Sequence, residues 1–98
     1  MPLALSRQIR RPAGVSSREL DGETVLLDLG SAQYFGLNET GSVVWQALGE
    51  GPTTIGAVRA RLLREFDVDE QVLDADLAEL LEVLETRGLI VTDPPVQP

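Results

Sequence analysis

The chain has no cysteine, no histidine and no lysine; its eight basic residues are all arginine. Without cysteine there can be no disulfide, no thiolate zinc ligand and no thiol nucleophile. Without histidine the commonest general base is missing, and with it the side chain that titrates near neutrality. Without lysine no Schiff base can form. Carboxylates, hydroxyls and a single tyrosine remain. A site needs paired groups with matched proton affinities, and that kit points to a protein without chemistry of its own. Catalytic residues, metal ligands and cofactors are therefore expected to be absent. Long apolar runs are absent too: nothing approaches the roughly 18 residues that span a bilayer, so no membrane partner is expected. The opening stretch MPLALSRQIRRP has too short an apolar patch for a secretory signal. A cytoplasmic location is the expectation.

What is present fits one small domain. The 98 residues are 43% hydrophobic, enough for one core of marginal stability. Charge is divided unevenly. Arg7, Arg10, Arg11 and Arg18 precede the first acid, making that stretch +4, while the remainder sets four arginines against sixteen acids, or −12. An acidic body repels phosphate backbones and attracts cationic partners.

Residues 1–13 read as a flexible basic arm, with Pro12 unable to donate to a ladder. Residues 92–98 read as a tail, and residues 14–91 as the folded domain. Within it the first half is strand-like. Val15 to Leu20 ends at Asp21-Gly22, a strong two-residue hairpin signal. Thr24-Val25-Leu26-Leu27-Asp28-Leu29 follows, with Val25, Leu27 and Leu29 on one face. After Gly30-Ser31 comes a third strand, Gln33-Tyr34-Phe35-Gly36-Leu37, in which Phe35 and Leu37 share a face and Tyr34 takes the other.

The second half is helical. Asn38 is a good N-cap, and Val43, Val44, Ala47 and Leu48 form an apolar stripe with Trp45 at its flank. Gly49 and Gly51-Pro52 stop that helix, and Thr53 or Thr54 caps the next. There Ile55, Val58, Leu62 and Phe66 recur at the helical period, with Arg59, Arg61 and Arg64 facing outward. Asp69 caps a third helix that runs to about Arg87, with Gly88 as its stop. Leu89-Ile90-Val91 returns as a short strand or packs as an apolar tail. The expected fold is α+β: a three-stranded antiparallel sheet followed by three helices, a winged helix-turn-helix.

A helix-turn-helix suggests nucleic acid, but the third helix carries Asp69, Glu70, Asp74, Asp76, Glu79, Glu82 and Glu85 against Arg87 alone. A major-groove reader needs cations and amides at base edges, so no nucleic-acid partner is expected. Asp67, Asp69 and Glu70 lack the twelve-residue spacing of a calcium loop, and capping is the simpler role for Asp69. On a helical wheel Leu73, Leu77, Leu80, Leu81 and Leu84 form the core face. Beside it lies a shoulder of Val72, Asp76 and Val83, bordered by Glu79. The third strand would be a sheet edge without the lysines or prolines that usually protect one. An unprotected edge beside an apolar shoulder invites an added peptide strand. Gly36 would let a partner backbone come close.

Several segments resemble the PqqD family. These are Val25-Leu26-Leu27-Asp28, Tyr34-Phe35-Gly36-Leu37-Asn38-Glu39-Thr40-Gly41 and Val44-Trp45, then Phe66-Asp67-Val68, Asp76-Leu77 with Leu80-Leu81, and Gly88-Leu89-Ile90. The resemblance covers roughly residues 13–91. It implies a winged-helix fold that serves as a recognition element for ribosomally made, post-translationally modified peptides. The leader segment of the precursor would add as a strand to the third strand and lie against the third helix. The implied peptide-binding residues are Ala32, Gln33, Tyr34, Phe35, Gly36 and Leu37 on the strand, with Val72, Asp76, Glu79 and Val83 facing them. The chain looks most like the stand-alone members of lasso-peptide pathways, which implies a leader peptidase and a cyclase as partners. The alternative is a peptide chaperone of another such pathway, or a PQQ-like one, that delivers its precursor to a radical SAM enzyme.

Overall fold

A computed structural model describes residues 4–93. It is α+β, with three helices and two antiparallel sheets. The first sheet is the expected meander: β2 (Val15–Leu20), β3 (Glu23–Asp28) and β4 (Gln33–Leu37), in that spatial order. Asp21 and Gly22 both take positive φ, 52° and 82°, the mark of a type I′ turn whose twist suits the flanking strands. The β3–β4 turn is held by the Asp28 carboxylate, which accepts from the Gly30 N–H at 2.9 Å. Ala32 takes φ 60° there, a left-handed conformation costly for any residue with a Cβ.

A second sheet was not expected. β1 (Gln8–Arg10) lies at its centre between β5 (Thr53–Thr54) and β6 (Val91–Asp93). This corrects the reading of residues 1–13 as a loose arm. Ile9 pairs with Thr53 on one side and Thr92 on the other, and it is completely buried. One isoleucine between polar neighbours leaves no periodic pattern in the sequence, yet its burial and two ladders fix the segment. Arg11 then crosses onto helix α1 (Glu39–Gly49), its guanidinium 4.3 Å from the Trp45 ring centroid, while its Nε donates to the Trp45 carbonyl at 3.1 Å. The tail reading is corrected in part: Thr92 and Asp93 belong to β6, and residues 94–98 lie outside the described residues.

The helices start and stop where the capping residues direct. Asn38 accepts from the Gly41 N–H and Thr54 from the Ala57 N–H, and Asp69 accepts from Gln71 and Val72. Each satisfies donors that a helix start leaves orphaned. These caps open α1, α2 (Ile55–Glu65) and α3 (Glu70–Thr86). Gly88, at φ 72°, turns the chain after α3 so that Leu89 and Ile90 drop into the core.

That core joins Ile9, Leu26, Leu37, Val44, Val58, Leu62, Leu77 and Leu84. Trp45 belongs to it as well, not to a flank. Thr24 and Leu26 supply the inward face of β3, so the face shared by Val25 and Leu27 is the outward one. Of the arginines on α2, Arg59 is engaged with α3, its Nε 2.5 Å from Asp74 and an Nη 3.0 Å from Glu70. The hydrogen bonds it donates to Asp74 and then to Glu70 raise its pKa above the ordinary arginine value. Arg61 is likewise paired, with Glu50 and Glu65.

Candidate peptide-binding groove

The meander has two free edges, and their surroundings differ. Beside β2, the Glu19 carboxylate accepts from the Gln46 amide of α1 at 2.6 Å. Beside β4, a hollow of about 380 Å³ opens toward α3, lined by Phe35, Asn38, Thr40, Asp76, Glu79, Leu80 and Val83. It continues along α3 as a second hollow of about 380 Å³, bordered by Glu79, Glu82, Val83, Thr86 and Arg87. A small cleft beside Gln33, Tyr34, Phe35, Arg87 and Leu89 completes the far end. The groove thus runs the length of β4, with Asp76 near the Leu37 end and Arg87 near the Gln33 end.

Register decides which backbone groups face this groove. The residues flanking a two-residue hairpin turn, here Leu20 and Glu23, exchange hydrogen bonds. Bonded and non-bonded pairs alternate along an antiparallel ladder. Residues 23, 25 and 27 of β3 therefore bond to β2, while Thr24, Leu26 and Asp28 bond to Leu37, Phe35 and Gln33. The 2.7 Å bond from the Ala32 N–H to the Asp28 carbonyl, and the 2.9 Å bond from Leu29 N–H to the Gly14 carbonyl, agree with that phase. Tyr34 and Gly36 are left with N–H and C=O pointing at the free edge. A strand that pairs there satisfies four polar groups and projects alternate side chains into the groove.

The structure sorts the residues singled out in the sequence. Phe35, Asp76, Glu79 and Val83 line the main hollow. Gln33 borders its end, and Tyr34 and Gly36 supply the open backbone. Tyr34 is 70% exposed and borders the opposite, outward face of the sheet with Val25 and Leu27. A Cβ at Gly36 would meet nothing within 4 Å, so close packing within the chain does not require glycine there. Three residues lie apart from the hollows. Leu37 is 3% exposed and belongs to the core. Ala32 sits in the turn before β4. Val72 is 52% exposed and borders none of the groove hollows among the described residues, because it lies a full turn beyond Asp76 toward the start of α3.

Sequence reasoning missed Asn38, Thr40 and Leu80 in the main hollow and Glu82, Thr86 and Arg87 in its continuation. Arg87 had a readable signal, since it falls four residues after Val83 on the same helix stripe. Its guanidinium lies over the Phe35 ring, 5.1 Å from the centroid. A separate hollow of about 420 Å³ marks the outer face of the meander, lined by Ser16, Ser17, Arg18, Leu20, Val25, Leu27 and Tyr34. Among the described residues no cluster of acids could hold a metal ion, and no helix is long and apolar enough to cross a membrane.

A free sheet edge that backs a partly apolar groove defines a class of domain built to accept an extended chain. Residues 23–90 match the family described as Coenzyme PQQ synthesis protein D (PqqD), and the chain belongs to that family. Two solved structures share the fold. One is described as TbiB1 in complex with the TbiA(beta) leader peptide; it is 32% identical, covers 83% of this chain and 93% of its own, and has a TM-score of 0.75. The other is a lasso peptide synthetase B1 complexed with the leader peptide; it is 29% identical, covers 85% and 96%, and has a TM-score of 0.71. No curated protein matches.

Proposed function

We propose that this domain binds the leader segment of a ribosomally synthesised precursor peptide by strand addition to β4 and presents it to the modifying enzymes of a lasso-peptide-type pathway. The observation that carries the proposal is the β4 edge, free among the described residues, with the Tyr34 and Gly36 backbone groups turned to it beside the α3 groove. Two relatives of matching length, both solved with a leader peptide, support it. The α2–α3 pair beside the meander is read as a winged helix-turn-helix whose third helix walls a peptide groove. Its acids, Asp76, Glu79 and Glu82, disfavour nucleic acid.

The domain acts without catalysis, in the cytoplasm, handing the precursor to a leader peptidase and a cyclase. The lack of histidine, cysteine and lysine supports the first point. Holding the precursor near a partner's active site raises its effective concentration there. A second reading, delivery of a precursor to a radical SAM enzyme, is favoured by the family's description as a PQQ synthesis protein; the near-complete coverage of the two lasso relatives favours the first.

Fluorescence anisotropy with the labelled leader of a precursor encoded beside this chain tests the proposal. The resemblance to lasso-pathway members implies a leader that offers an aromatic residue and a proline to the groove, and submicromolar binding that is lost when either is replaced is expected. No binding at tens of micromolar, with or without the partner peptidase, contradicts it.

A further inference from the structure

The groove is not uniform in charge. At the Asn38 end its wall carries Asp76 and Glu79, and Glu82 follows along α3. At the Gln33 end stands Arg87. Arg59 and Arg61 each have two carboxylate partners, whereas among the described residues Arg87 has no carboxylate within 4.0 Å. Glu79 and Glu82 border the second hollow with it, and Asp28 borders the small cleft with it. The Asp28 carboxylate is already engaged by the Gly30 N–H. The Arg87 guanidinium carbon lies over the Phe35 ring, 5.1 Å from its centroid, and with no carboxylate partner among the described residues its fork of donors can take a leader carboxylate in two-point fashion.

We infer that Arg87 is a specificity-determining residue. It selects a leader with an acidic residue at the Gln33 end of β4, while Asp76 and Glu79 take a basic residue at the Leu37 end. The inference rests on the leader-binding reading and adds a charge order to it. An added strand that continues the antiparallel alternation of the meander runs from the Leu37 end to the Gln33 end, so its basic residue comes first. The helix rises about 1.5 Å per residue, which puts Arg87 roughly 12 Å beyond Glu79 and roughly 16 Å beyond Asp76. A strand covers those spans in about four or five residues. Both side chains must enter the groove from the same face, so the separation is even: four or six residues.

The test is a display library built on the leader of the precursor encoded beside this chain. The aromatic and proline residues are kept and every other position varies among Lys, Glu and Ser. It is selected against the wild-type domain and against Arg87→Glu, with Arg87→Met as a check that the fold tolerates loss of the stacked cation. The wild-type pool is expected to enrich Glu four or six residues after a Lys-enriched position, with a preference of about fivefold or more over Ser, as befits a charge-assisted pair at a partly exposed site. Arg87→Glu is expected to turn that Glu preference into Lys and leave the earlier Lys position unchanged. A binding pool without charge preference, or a Glu preference that survives Arg87→Glu, overturns the inference while leaving leader binding intact. Failure of the unmutated leader to bind the wild-type domain overturns the underlying reading, and the inference falls with it.

Discussion

Leu26 and Phe35 face each other as the middle pair of the β3–β4 ladder, and this pairing decides what the neighbouring residues can do. Phe35 spends its backbone groups on Leu26 and turns its ring toward α3. Tyr34 and Gly36, one position to either side, are left with theirs on the open edge.

Proline substitutions separate these two roles. Tyr34→Pro removes a donor that nothing among the described residues uses, and proline is tolerated on an edge strand with its nitrogen facing solvent. The fold is expected to survive, and leader affinity to fall about tenfold, as the loss of one hydrogen bond and local backbone freedom implies. Phe35→Pro breaks the bond to Leu26 and is expected to cost about 3 kcal/mol or more of stability. Denaturant midpoints measured beside anisotropy titrations distinguish the two. The reverse pattern, with folding lost in Tyr34→Pro and kept in Phe35→Pro, would show the register to be shifted by one residue.

Ile9 gives a sharp contrast between a loose arm and a structural strand. As a fully buried residue of the central β1, Ile9→Ala is expected to cost about 2–5 kcal/mol. Urea unfolding measures it. A change below about 0.5 kcal/mol is what a surface residue would give.

Ala32→Gly is expected to stabilise the domain slightly. The left-handed φ of Ala32 costs roughly 1–2 kcal/mol with a Cβ present. The greater chain entropy of glycine returns about 0.5–1 kcal/mol of that. A melting temperature that rises by a few degrees fits this arithmetic, and a fall would mean that the turn does not hold the conformation.

Asp76→Arg is expected to weaken binding of a leader with a basic residue. The loss should be largest at low salt and shrink as salt rises, because both charges are solvent-exposed and screened. Titrations at two ionic strengths provide the measurement. A loss independent of salt would assign Asp76 a packing role.

Much of this was legible in the residues. Asp21-Gly22 announced the hairpin, Asn38, Thr54 and Asp69 the helix starts, and Gly88 the end of α3, because each is a local chemical requirement that the chain meets within a few residues. β1 and β6 were not legible as partners. They pair across most of the chain, and two three-residue strands carry too little pattern to declare it. Trp45 was misplaced for a related reason. Its burial depends on the second sheet and on Arg11 stacking from the N-terminal side. In the groove, Asp76, Glu79 and Val83 could be read from the helical wheel. The inward course of Leu37 and the exposure of Val72 depend on where α3 sits against β4, which no single element reveals.

The central claim is that a leader strand pairs with the free edge of β4. Amide hydrogen exchange, resolved by residue with and without leader, tests it most directly. The account predicts that the Tyr34 and Gly36 amides exchange quickly in the free domain and slow by at least tenfold in the complex, while Phe35 is protected in both. Saturating leader that leaves Tyr34 and Gly36 exchanging as in the free domain would contradict strand addition.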